Sequence, residues 1–108
     1  MSSMNERISD VSPAVKPDDA AKGFEFLAAE RRNRLIGLWA GEKMGLSGES
    51  IENYALALGK STNASEEDVI RKIVGDLTAS RIVIREAEVR VKAAEFLAQS
   101  REAIKAGS

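Results

Sequence analysis

From about residue 20 onward apolar positions recur at three- and four-residue intervals, the spacing that lines one face of an α-helix. Phe24, Leu27 and Ala28, then Leu35, Leu38, Trp39 and Leu46, form a first stripe, interrupted at Arg31 where a basic turn crosses it. This predicts a helix that starts after Pro17, with Asp18 or Asp19 as cap, and runs to about Met44. Gly45 and Gly48 suit its C-terminal cap and the following turn. Ile51, Tyr54, Ala55 and Leu58 repeat at i, i+3, i+4 and i+7, so a short second helix is expected from Ser47 or Ser50 to Gly59. Ser65 followed by Glu66, Glu67 and Asp68 supplies a cap and an acidic first turn for a third helix, whose apolar face is Val69, Ile70, Ile73, Val74 and Leu77.

Helix and strand patterns compete between Ser80 and Ala106. Ile82-Val83-Ile84 and Val89-Arg90-Val91 are β-branched and alternate, which reads locally as strand. Over the longer window Ile82, Val89, Ala93, Phe96, Leu97 and Ile104 share one helix face, and Arg81, Arg85, Glu88, Lys92, Glu95, Gln99 and Glu102 the other. The longer period predicts one helix capped by Ser80, with Glu88 and Lys92 as an i,i+4 ion pair. Four amphipathic helices joined by short loops make an all-α four-helix bundle the simplest way to bury these faces. Leu35, Trp39, Tyr54, Ile73 and Phe96 are expected to be buried together in it.

Residues 1–19 hold both prolines, Pro13 and Pro17, and their only aliphatic side chains are Met4, Ile8, Val11 and Val15. These four fall at helical spacing, but Pro13 clashes with the preceding turn and biases Ser12 toward extended geometry. The expected organisation is a flexible N-terminal segment over 1–19 and a bundle domain over 20–108.

Composition narrows the chemistry. The chain has neither Cys nor His, so thiolate and imidazole catalysis, zinc sites and disulfides are excluded. No cofactor or metal is expected. Sixteen basic residues against 17 acidic ones give a net charge of −1, a poor match for nucleic acid. No apolar run approaches the roughly 20 residues that span a bilayer and no secretory leader is recognisable, so the expectation is a cytoplasmic protein without membrane insertion. Glu66, Glu67 and Asp68 point in different directions on a helix and are read as complement to its dipole rather than as a catalytic group.

The segment from Arg31 to Gly48 is the densest in candidate function. Gly37, Gly41 and Gly45 are four apart and share a helix face, where a missing Cβ lets another backbone approach; internal close packing is the preferred reading and a partner groove the alternative. Glu42 and Lys43 exclude the membrane version of that contact, and no P-loop follows the glycines. Arg31, Arg32 and Arg34 form a weak candidate site for an anion, ATP or ADP, against the plainer reading of a solvated or paired turn. Trp39 is read as core, with an interface anchor as the alternative.

The residues Arg31 to Ala40 (Arg-Arg-Asn-Arg-Leu-Ile-Gly-Leu-Trp-Ala), Glu42, Gly45, Ser47-Gly48, Tyr54-Ala55-Leu56 and Glu67 to Leu77 resemble the zeta subunit family of alphaproteobacterial F-type ATP synthases. The likeness covers about Phe26 to Leu77 and is weaker through the last helix. It implies a small, non-enzymatic four-helix protein that inhibits ATP hydrolysis, with the catalytic head of the synthase as partner. It further implies that a segment at the N-terminus turns helical as it enters a catalytic interface, which would give Met4, Ile8, Val11 and Val15 a partner-binding role. Pro13 and Pro17 depart from the proline-free segment that the resemblance implies, at about 3 kcal/mol for each proline inside a helix. The alternative is therefore a divergent member with weak or lost inhibition that works as a helical binding module, and in a third reading as an anion or nucleotide sensor.

Overall fold

The computed structural model describes residues 17–61 and 64–107, and among them finds four helices and no strand. Helix α1 spans Pro17–Lys43, α2 Gly48–Gly59, α3 Glu66–Ala79 and α4 Glu86–Lys105. The all-α four-helix class expected from periodicity is the one observed. Helix α1 opens at Pro17 itself, so Asp18 and Asp19 lie inside its first turn and neither is its cap. Proline suits a first helical position because its missing N–H would be unbonded there in any case.

Three boundaries follow from cap chemistry. At the end of α1, Gly45 adopts φ +82°, Gly45 N–H donates to Glu42 O and Leu46 N–H to Gly41 O, a Schellman motif built on glycine. At the start of α3, Ser65 Oγ accepts from Asp68 N–H at 3.1 Å. The end of α3 repeats the Schellman pattern, with Arg81 N–H donating to Thr78 O and Ile82 N–H to Leu77 O, but here a non-glycine, Arg81, holds φ +65°.

That third cap corrects the expectation of one helix from Ser80. Ser80 closes α3, residues 81–85 form a connection, and α4 begins at Glu86 behind Arg85. The β-branched alternation has a local meaning in this connection: Ile82 and Ile84 pack on the core and Val83 between them is fully exposed. Glu88 and Lys92 are not the pair expected of them. Lys92 binds Glu95 instead, at 3.2 Å.

The core consists of Ile36, Ala40, Leu58, Val69, Ile70, Ile73, Leu77, Val89 and Ala93. Helix α1 packs against all three others and is the common element of the bundle. Its buried face is not the expected stripe of large residues. Ala28, Arg32, Asn33, Ile36, Gly37, Ala40 and Gly41 are buried, whereas Leu35, Leu38 and Trp39 are half-exposed and Phe26 and Leu27 are exposed.

The cause lies at the α1–α2 crossing. A Cβ on Gly37 would stand 2.9 Å from Ala55 Cα and 3.0 Å from Leu58 Cδ1, and one on Gly41 would stand 2.7 Å from Ile51 Cγ1. The helices meet backbone to backbone, which leaves room only for small side chains on the contact line and displaces the large ones to its flanks. Internal close packing thus accounts for Gly37 and Gly41, while Gly45 serves the cap. The matching of 41 with 51 and 37 with 55 shows that α2 runs antiparallel to α1.

Candidate partner-docking surface

Of the five residues expected to be buried together, Ile73 is fully buried, and Leu35, Trp39, Tyr54 and Phe96 are each only partly so. The exposure has one origin for three of them. Helices α2 and α4 flank α1 without closing over it, and the gap between them is an open groove lined by Leu35, Leu38 and Trp39 of α1, Ile51 of α2 and Phe96 of α4, with Glu42 and Glu52 at its edge. Trp39 packs against the core on one side and opens to this groove on the other. Lys43 Nζ sits 5.1 Å from the centre of its ring, within cation–π range. An amphipathic aromatic with one wet side is the residue type that anchors interfaces.

Polar contacts fix each helix around this surface. Arg32 is buried in the bundle; its Nε and Nη2 donate to Asn33 Oδ1 and its Nη1 reaches Glu66 Oε1 at 2.8 Å, joining α1 to the start of α3. Desolvation lowers the Arg32 pKa, with Glu66 acting in the opposite direction. Arg34 and Glu52 approach to 3.7 Å between α1 and α2, and Arg101 donates to Glu25 at 2.8 Å between α4 and α1. Tyr54 Oη donates to Asp76 Oδ2 at 2.7 Å between α2 and α3, and Lys72 Nζ binds the same carboxylate at 3.1 Å. Burial, followed by the bond to Asp76, pushes the Tyr54 phenol well above its ordinary value. Arg90 ties Glu67 of α3 to Glu86 of α4, and its bond holds the Glu67 carboxyl below the ordinary carboxylate range.

The three arginines of the candidate anion site occupy different environments. Arg31 and Arg34 are exposed, while the Arg32 guanidinium is buried and already engaged by Asn33 and Glu66. Met4, Ile8, Val11 and Val15 lie outside the described residues. Sequence reasoning missed the burial of three polar side chains, Arg32, Asn33 and Ser100, and among the described residues the Ser100 Oγ has no hydrogen-bond partner. Among the described residues no cluster of carboxylates could hold a metal ion, and no helix is long and apolar enough to cross a membrane.

The sequence profile of ATPase inhibitor subunit zeta matches residues 1–103. The chain belongs to this family. A solved structure titled "Solution NMR structure of the protein" is 38% identical over 80% of this chain and 100% of that one, with a TM-score of 0.66. The two chains therefore share the fold. No curated protein sequence matches the chain.

Proposed function

We propose that this zeta-family chain is a regulatory subunit that docks on the catalytic head of an F-type ATP synthase and inhibits ATP hydrolysis, with residues 1–19 as effector and the four-helix bundle as holding platform. The observation that carries the reading is the family match, which runs from residue 1 through the bundle and so includes the N-terminal segment. Met4, Ile8, Val11 and Val15 are the side chains through which that segment would bury apolar surface in a catalytic interface. Ordering such a segment costs entropy, which contact of this one face with a partner offsets. The bundle itself is built for holding, since ion pairs or hydrogen bonds link α1 to each of the other helices and α3 to both α2 and α4.

The test is ATP hydrolysis by the host's isolated F-type ATPase with increasing amounts of the full chain or of a chain lacking residues 1–16, with association followed in parallel. Inhibition by the full chain and association without inhibition by the shortened one is the expected result. Equal effects of the two chains would overturn the effector role of the segment. Pro13 and Pro17 favour a second reading, a divergent member that docks with weakened inhibition, and association of the full chain without inhibition is its signature. Of the three arginines in the anion-sensor reading only Arg31 and Arg34 are exposed, and Arg34 already stands beside Glu52.

A further inference from the structure

We infer that the outward edge of the α3–α4 connection, formed by Arg81, Val83 and Arg85, is a docking strand for an extended acidic segment of another polypeptide, one that carries an apolar residue between two carboxylates. This site lies apart from the N-terminal segment, and the inference does not depend on the inhibitor reading.

The backbone is the first support. Ile82 and Ile84 pack on the core and Val83 between them is fully exposed, so the connection shows the two-residue alternation of a strand with one face covered. Ile82 N–H donates to Leu77 O and Glu88 N–H to Arg85 O, but among the described residues the N–H groups of Val83 and Ile84 have no acceptor. A β-branched run with open backbone groups is a template to which an extended segment adds by main-chain hydrogen bonds. Val83, Ala87 and Val91 continue this edge into an open depression at the start of α4, where Val91 is half-exposed. The depression takes the apolar residue of the partner.

Charge is the second support and fixes the sign of the partner. Arg81 and Arg85 are exposed, and among the described residues neither makes an ion pair. Glu86 is held by Arg90 and Glu95 by Lys92, which leaves Glu88, on the wall of the depression, as the acid facing them. Two guanidiniums against one carboxylate make this corner positive on a chain whose net charge is −1. Four residues of extended chain separate Arg81 from Arg85 by about 13 Å, the spacing of carboxylates at i and i+4 of an extended partner. A second copy of the chain fits poorly, because antiparallel pairing about Val83 sets Arg81 of each copy against Arg85 of the other. Arg81 moreover holds φ +65°, where glycine is less strained, and strained positions of this kind gather at functional sites.

The test is an NMR titration of the isotopically enriched full chain with the peptide Ser-Glu-Thr-Val-Thr-Glu-Ser and with its counterpart bearing Lys for both Glu. The expected result is a set of amide shifts confined to residues 81–91 with the acidic peptide only. Val83→Asp should abolish them, and Arg81→Gly and Arg85→Gln should each weaken binding roughly two- to fivefold. Glycine relaxes the backbone at position 81, so a loss there cannot come from unfolding. No shifts in the connection, an equal response to the lysine peptide, or undiminished binding by Val83→Asp would overturn the inference. Shifts of the same amides that grow with protein concentration in the absence of peptide would overturn it too, by assigning the edge to a second copy. No ATPase enters the measurement, so its failure and failure of the inhibitor reading are separate results.

Discussion

Adding one methyl group to Gly37 tests the backbone contact that organises α1 and α2. In a helix interior alanine is favoured over glycine by about 1 kcal/mol. At Gly75, in the middle of α3, nothing lies within 4 Å of the added Cβ, so Gly75→Ala should realise that gain. At Gly37 the same methyl meets Ala55 Cα at 2.9 Å, and a backbone atom cannot rotate away. Helix α2 must shift as a body, and overpacking of this kind costs about 1–3 kcal/mol. Gly37→Ala should therefore fall below Gly75→Ala by about 1–3 kcal/mol, since the propensity gain is common to both. For a domain of this size that difference is a separation of roughly 4–20 °C in melting temperature. Thermal and urea unfolding followed by far-ultraviolet circular dichroism measure it directly. Gly41→Ala should lie between the two, because its obstacle is the Ile51 side chain at 2.7 Å, which can change rotamer. Equal stabilisation by Gly37→Ala and Gly75→Ala would refute the close crossing.

Three further outcomes are expected. Arg81→Gly should stabilise the protein by about 1 kcal/mol in urea titration, because glycine takes the φ +65° of the α3 cap without the Cβ cost that arginine bears there. Tyr54 is the one tyrosine, so its absorbance at 295 nm reports it alone: its ionisation should lag a free tyrosine as pH rises past 10. The raised folded-state pKa means the unfolded chain loses the proton first, so stability present below pH 10 is lost above it, and Tyr54→Phe should remove that decline. Glu67→Gln should lower the melting temperature at neutral pH and make no difference once pH falls below the depressed pKa of Glu67. A depressed carboxylate contributes only above its ordinary titration range, and the contribution fades as it is protonated in the folded state.

The ends of α1 and α2 and the start of α3 were legible because their signals are local: Gly45 after the last turn of α1, Gly59 closing a four-residue apolar repeat, Ser65 before a run of acids. The break between α3 and α4 was not, because the residue that turns the chain is arginine, and its left-handed backbone leaves no compositional trace. A cap whose hydrogen bonds are all backbone can be recognised only when glycine occupies it. The buried face of α1 was displaced for a different reason. Apolar size was taken as the mark of the core, yet at a close crossing the contact line selects Gly37, Ala40, Gly41 and Ala55, and the large residues Leu35 and Trp39 move to its edges. The groove is the outcome of that displacement. It depends on where α2 and α4 stop covering α1, a tertiary fact that no window of sequence contains. Arg32 was noted as a candidate anion ligand, and its burial against Asn33 and Glu66 required the position of α3, 34 residues along the chain.

Helix α1 carries the junction with the N-terminal segment at one end and the glycine crossing near the other, without a break in between. Tension applied through that segment is directed along the helix axis. It meets the contacts with α2 and α4 in parallel and loads them in shear, whereas a pull on the end of α4 would open its contacts one turn at a time. A load that enters at this junction therefore meets its neighbours together rather than in turn, and the four helices act as a cleat.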